Sequence, residues 1–169
     1  MDTTNSLGYT QIQIGRVQQA ITDMEASASD IMIYDDLARL FAQKLAFILE
    51  CPVTTDMARG CLHDLRKAGY VKSNRELNRP RQIPLSTLSA DEVHRIAHAY
   101  GMYGISSDAV LIHGRHARHL RVHFEDALCM ELTDDNVREV LTSLRNASRL
   151  KNVKQTQGEQ LPLFDYDWD

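Results

Sequence analysis

Apolar residues recur along most of this chain at spacings of three and four, the repeat of a helix with one buried face. Ile14, Val17, Ile21 and Met24 form the first such stripe and predict a helix from Gln11 to about Ala26, after a polar, frayed start. Ser27 to Asp30 is the expected break, with Ser29 or Asp30 as a cap. A second helix is expected over 31–50. Leu37, Leu40, Phe41, Leu45, Ile48 and Leu49 keep the repeat, with Lys44 as the exception, and occupy more than one face, which predicts a central position. Pro52 ends it. Thr54 or Thr55 caps a third helix. Its stripe is Met57 or Ala58, then Cys61, Leu62 and Leu65, and Gly69 closes it in a left-handed conformation.

Beyond Gly69 the pattern changes. Tyr70-Val71 starts an expected strand, residues 72–82 read as a polar, basic loop, and Ile83-Pro84-Leu85 reads as the return strand. Ser89 with Glu92 three residues later is the signature of a reciprocal helix cap, before an apolar face of Val93, Ile96, Ala97 and Tyr100 that Gly101 and Gly104 close. Over 109–124 two periods compete. Leu120, Val122 and Phe124 alternate with Arg121 and His123, as in a strand, and a hairpin turning near Gly114 is the preferred reading. Leu120, Phe124, Ala127, Leu128 and Leu132 also fit a helix, and that alternative stays open. Thr133 caps a last helix running to about Leu150 with Val137, Val140, Leu141 and Leu144 on its stripe. The expected fold is mainly α with a small β component.

A length of 169 residues and an apolar share of 43% allow one domain with a real core. Neither a basic-then-apolar leader nor an apolar run of membrane-spanning length is present, so a cytoplasmic location with no membrane partner is expected. Cys51, Cys61 and Cys129 form no CxxC pair and read as reduced, buried thiols.

The net charge of −4 conceals segregation: residues 1–36 carry −5, residues 37–154 carry +5 and residues 155–169 carry −4. Within the basic middle, residues 59–81 hold seven bases against two acids. Phosphate contacts need such a local excess.

Helix, short turn, helix, Leu65-x-x-x-Gly69-Tyr70-Val71, basic loop and apolar return together resemble a winged helix-turn-helix over about 37–86. In that family the second helix enters the major groove and the wing contacts backbone or minor groove. The resemblance places Thr54, Thr55, Arg59, His63, Arg66 and Lys67 on or near a reading helix, and Lys72, Arg75, Arg79 and Arg81 on a wing, with double-stranded DNA as the implied ligand. Arg115, Arg118 and Arg121, with no acid between His113 and His123, form a second basic patch open to nucleic acid.

The end of the chain breaks the rule that an exposed tail is polar. Glu159 to Asp169 holds Leu161, Leu163, Phe164, Tyr166 and the only tryptophan, Trp168, and all four of its charges are acidic. Pro162 favours an extended segment, so less entropy is lost when a partner orders it. Gln160-Leu161-Pro162-Leu163-Phe164 resembles the peptide by which bacterial polymerases and repair proteins hold the DNA sliding clamp, a motif close to Gln-Leu-any-Leu-Phe. The resemblance implies that Gln160, Leu161, Leu163 and Phe164 are the partner-binding residues and that a sliding clamp is the partner. It covers five residues and says nothing about the fold. The plainer reading is a tail packed on its own domain.

Four segments follow: 1–30, an N-terminal helix; 31–86, winged-helix-like; 87–150, packed on the same core; and 151–169, a linker and clamp-binding tail. The expected function is that of a replication-associated accessory or regulatory protein, of the phage or plasmid kind, docked on the clamp and touching DNA. A homodimer is compatible with this. The first alternative is a winged-helix transcriptional regulator without clamp binding.

The second alternative is a metal enzyme built on histidines. His94 and His98 share a helical face, and Asp91, Glu92 or Glu125 could complete a shell. No HExxH pair, nucleophile elbow, phosphate-binding glycine loop or supported carboxylate pair is present, so no catalytic residue, cofactor or metal is assigned.

Overall fold

The computed structural model describes residues 4–72 and 79–150. They form eight α-helices: α1 Gln11–Asp23, α2 Ala28–Ile33, α3 Asp35–Leu49, α4 Thr55–Lys67, α5 Ala90–Tyr103, α6 Ser107–Ile112, α7 Gly114–Leu128 and α8 Asp134–Asn146. A single 3-10 turn covers Leu85–Thr87. The fold is mainly helical, and among the described residues the only β pairing is one isolated bridge between Thr4 and Thr10.

The caps explain the boundaries. Thr54, Ser89 and Thr133 cap α4, α5 and α8 as their sequence positions predict, and Glu92 closes the reciprocal cap on α5. Gly69 lies at φ +81°, where a side chain would be strained. Gly69 N–H donates to Arg66 O at 3.1 Å and Tyr70 N–H to Leu65 O at 2.9 Å, so α4 ends in a Schellman turn.

Several expectations are corrected. The break between α1 and α2 falls at residues 24–27, earlier than expected, and Ser27 rather than Ser29 caps α2 in a reciprocal pair with Asp30; all residues of α2 are buried. The expected helix over 31–50 is therefore two helices meeting at Tyr34. Leu40 lies 42% exposed, off the buried stripe. Tyr70 and Val71 form no strand, because their N–H groups finish the end of α4. Ile83 starts no return strand either: its N–H and that of Gln82 donate to the Glu139 carboxylate, which takes the place of a ladder partner. The expected hairpin over 109–124 is two helices, α6 and α7. Ala117, Leu120, Phe124 and Leu128 make the buried stripe of α7, and Val122 points outward. Gly114 is the first residue of α7 and Gly101 lies inside α5. Of the cysteines only Cys61 is buried; Cys51 and Cys129 are exposed.

The apolar stripes close into two adjoining cores. The first joins α1, α2, α3 and α4 with Val71 and Leu111. The second joins α5, α7 and α8 with Ile83, Val110 and Leu132. The short helix α6 belongs to both, with Leu111 in one core and Val110 in the other. Adjacent residues point about 100° apart on a helix, so one turn can serve two cores. No helix among the described residues is long and apolar enough to cross a membrane.

Candidate nucleic-acid interface

Polar side chains gather in a seam that ties the α2–α4 region to α8. Glu139 on α8 is 0% exposed and accepts three hydrogen bonds: Tyr34 Oη at 2.7 Å, Gln82 N at 2.9 Å and Ile83 N at 2.8 Å. Burial, and then the Glu139 bond, push the Tyr34 phenol well above its usual range, so it stays a donor. Beside it two arginines, each 1% exposed, converge on Asp35: Arg59 Nη2 at 2.7 Å and Arg138 Nη1 at 3.1 Å from Oδ1. Arg59 Nε also donates to Met32 O at 3.1 Å. Burial raises the Asp35 carboxyl, but the Arg59 bond and the Arg138 charge outweigh it and hold the group below the ordinary value. Asp135, 3.5 Å from Arg138 Nη1, is pushed the other way by burial and by Asp35.

This seam decides the fate of several expected DNA contacts. Arg59 is buried and spent on Met32 and Asp35, so it presents no charge to a phosphate, which corrects its expected role. Arg79 grips Asp36 with two bonds, at 2.9 and 2.6 Å, and lies over the Tyr34 ring. Thr55 opens α4, and the next residue, Asp56, accepts the Gly114 N–H at 3.3 Å, so this end of α4 packs against the start of α7. Further along α4, Arg66 is half-buried. Its affinity for its proton is lowered by burial and then by Arg145, with Asp108 opposing. Asp108 binds Arg145 at 2.8 Å and lies 3.4 Å from His63. Lys67 and Lys72 are exposed and Arg81 is partly exposed. Arg75 and the clamp-like residues Gln160, Leu161, Leu163 and Phe164 lie outside the described residues.

The second basic patch splits. Arg121 turns toward α8, 3.0 Å from Asp134 and 3.8 Å from Glu125. Arg115 and Arg118 are exposed and have no carboxylate within ion-pair distance among the described residues. Beside them runs a row of rings. His113 and His116 have centroids 5.8 Å apart. The Tyr103 hydroxyl and His116 Nδ1 are 3.1 Å apart. Tyr103 stacks on His119 at 5.1 Å, and His119 meets His123 at 5.6 Å. Burial, then the charges of Arg115, His113 and His119, hold the His116 imidazole below its usual range. The described residues gather no group of three or more His, Cys, Asp or Glu side chains that could hold a metal, including around His94 and His98.

The seam itself was not anticipated from sequence. The available signal was Arg59, which stands three residues before Leu62 and so falls beside the apolar stripe of α4. Comparison with protein-family models, with curated proteins and with solved structures gives no match for this chain.

Proposed function

We propose that this protein is a replication-associated accessory or regulatory factor that docks on a bacterial DNA sliding clamp through Gln160, Leu161, Leu163 and Phe164. The observation that carries the reading is the Gln160-Leu161-Pro162-Leu163-Phe164 peptide itself, whose informative positions all agree with the clamp-client motif. The architecture supports it in one respect: helices α1 to α8 find packing partners among residues 4–150. Residues 151–159 separate the last described residue from the peptide, and nine extended residues reach at most about 30 Å, enough to cross to a partner's pocket.

In this reading Leu163 and Phe164 fill an apolar pocket, Pro162 limits the conformations to be lost, and Gln160 supplies amide hydrogen bonds. The helix pair α3–α4 is the part of the winged-helix resemblance that the reading retains. Its second helix would offer the exposed Lys67 rather than the buried Arg59. Since polymerases would use the same pocket, the protein competes with them.

The test is binding of the full chain to a bacterial sliding clamp beside Leu163→Ala/Phe164→Ala. Each side chain is worth about 1.5–3 kcal/mol when fully buried, so the double variant should bind at least about 100-fold more weakly. Its melting temperature should not move. A wild-type chain that does not bind the clamp, or a double variant that binds equally well, refutes the proposal.

A further inference from the structure

On α7, Arg115, His119 and Val122 recur at spacings of four and three, and Arg118 stands four before Val122, so these residues share the face opposite the buried stripe. All four are exposed, Val122 by 61%. Tyr103 of α5 stacks on His119. The face therefore combines two guanidinium groups, a row of flat rings and the exposed Val122 side chain. Among the described residues, acids stand only at its margins. Asp56 is 3.8 Å from His113 at the amino end, and Glu125 and Asp126 follow His123 at the other. Elsewhere in the molecule Arg59, Arg79, Arg95, Arg121, Arg138 and Arg145 each hold a carboxylate. Arg115 and Arg118 are the exposed exceptions on α7.

Guanidinium groups recognise phosphate oxygens, and flat rings accept unstacked bases. A duplex would offer the rings no base face, and an acidic peptide would leave them unused. We infer that the α5–α7 face bearing Arg115, Arg118, Tyr103 and His119 is a binding platform for single-stranded nucleic acid. It deepens the DNA contact of the proposed function by adding a single-strand site separate from α4, and it stands apart from clamp docking.

The full chain should bind fluorescein-labelled dT20, with affinity falling as salt rises. Arg115→Ala/Arg118→Ala should weaken binding and reduce the slope of log K against log salt by about 1.4, the value for two phosphate contacts on a single strand. Both side chains are exposed, so the melting temperature should stay unchanged. His119→Ala should weaken binding about tenfold while leaving the salt slope in place, as loss of one stacked base predicts. Absence of dT20 binding, an unchanged slope in the double arginine variant, or equal competition by poly-glutamate would overturn the inference, as would tighter binding of a matched duplex. The two proposals separate cleanly. Leu163→Ala/Phe164→Ala should keep dT20 binding, and Arg115→Ala/Arg118→Ala should keep clamp binding.

Discussion

Replacing Glu139 by alanine should cost more stability than replacing any single exposed charge. The carboxylate is fully buried and serves three donors, the Tyr34 hydroxyl and the Gln82 and Ile83 N–H groups. Gln82 is an exposed residue, so water can reach its amide once the carboxylate is gone. Tyr34 and Ile83 are 3% and 9% exposed, and their donors would be stranded. A buried donor left without a partner costs about 1–3 kcal/mol, so the expected loss is roughly 4 kcal/mol. For a domain of this size that corresponds to a melting temperature roughly 10 °C lower. Glu139→Gln keeps one acceptor oxygen and should lose roughly half as much.

Urea unfolding followed by helical circular dichroism measures the cost, and native-state hydrogen exchange shows where it falls. The Gln82 and Ile83 amides should lose protection ahead of the α5 and α7 amides. A loss below about 1 kcal/mol, with both amides still protected, would refute the argument that this carboxylate holds the 82–83 segment to α8. Tyr34→Phe combined with Glu139→Ala should show a coupling of about 1 kcal/mol or more, since the two groups share one hydrogen bond.

The His116 imidazole is held below its ordinary value of about 6.5, so the unfolded chain binds that proton more readily than the folded one. Its contribution to stability is therefore complete above about pH 6.5 and is lost as pH falls through that value toward the folded pKa. His116→Gln should flatten the fall in melting temperature between about pH 7 and 5, and superimposable curves would count against the assignment. A thiol reagent should label Cys51 and Cys129 in the folded protein and reach Cys61 only in denaturant, because burial both shields that thiol and raises its pKa. Rapid native labelling of all three would show that the first core opens readily.

Local signals were legible in the sequence where the physics is local. Thr54, Ser89 with Glu92, and Thr133 act within one turn of helix, and each caps the helix it was expected to cap. The stripe Leu37, Phe41, Leu45 and Ile48 was readable for the same reason. Val122 misled because alternation with Leu120 and Phe124 mimics a strand, and only the packing of α7 shows that Val122 faces solvent. Gly114 suggested a turn, yet Asp56, 58 residues earlier, accepts its N–H and lets it open a helix. The seam was hidden more deeply. Arg59, Arg138 and Glu139 look like surface charges until partners distant in sequence are placed beside them. Of the candidate contacts, Arg115 and Arg118 were readable from an acid-free run, whereas the diversion of Arg121 to Asp134 needed three dimensions.

The sequence distance spanned by the seam also bears on how the protein is made. Tyr34 meets Glu139 across 105 positions, and Asp35 meets Arg138 across 103. A ribosome adding about 5–20 residues per second needs roughly 5–20 s to cover that distance. During that interval the Tyr34 hydroxyl lacks its acceptor and Asp35 has only Arg59 to neutralise it. The first core can collapse around α1 to α4 but cannot finish its polar edge until α8 emerges. A chain that ends before Asp134 lacks both Arg138 and Glu139, so the polar edge of the first core has no partner until α8 is made.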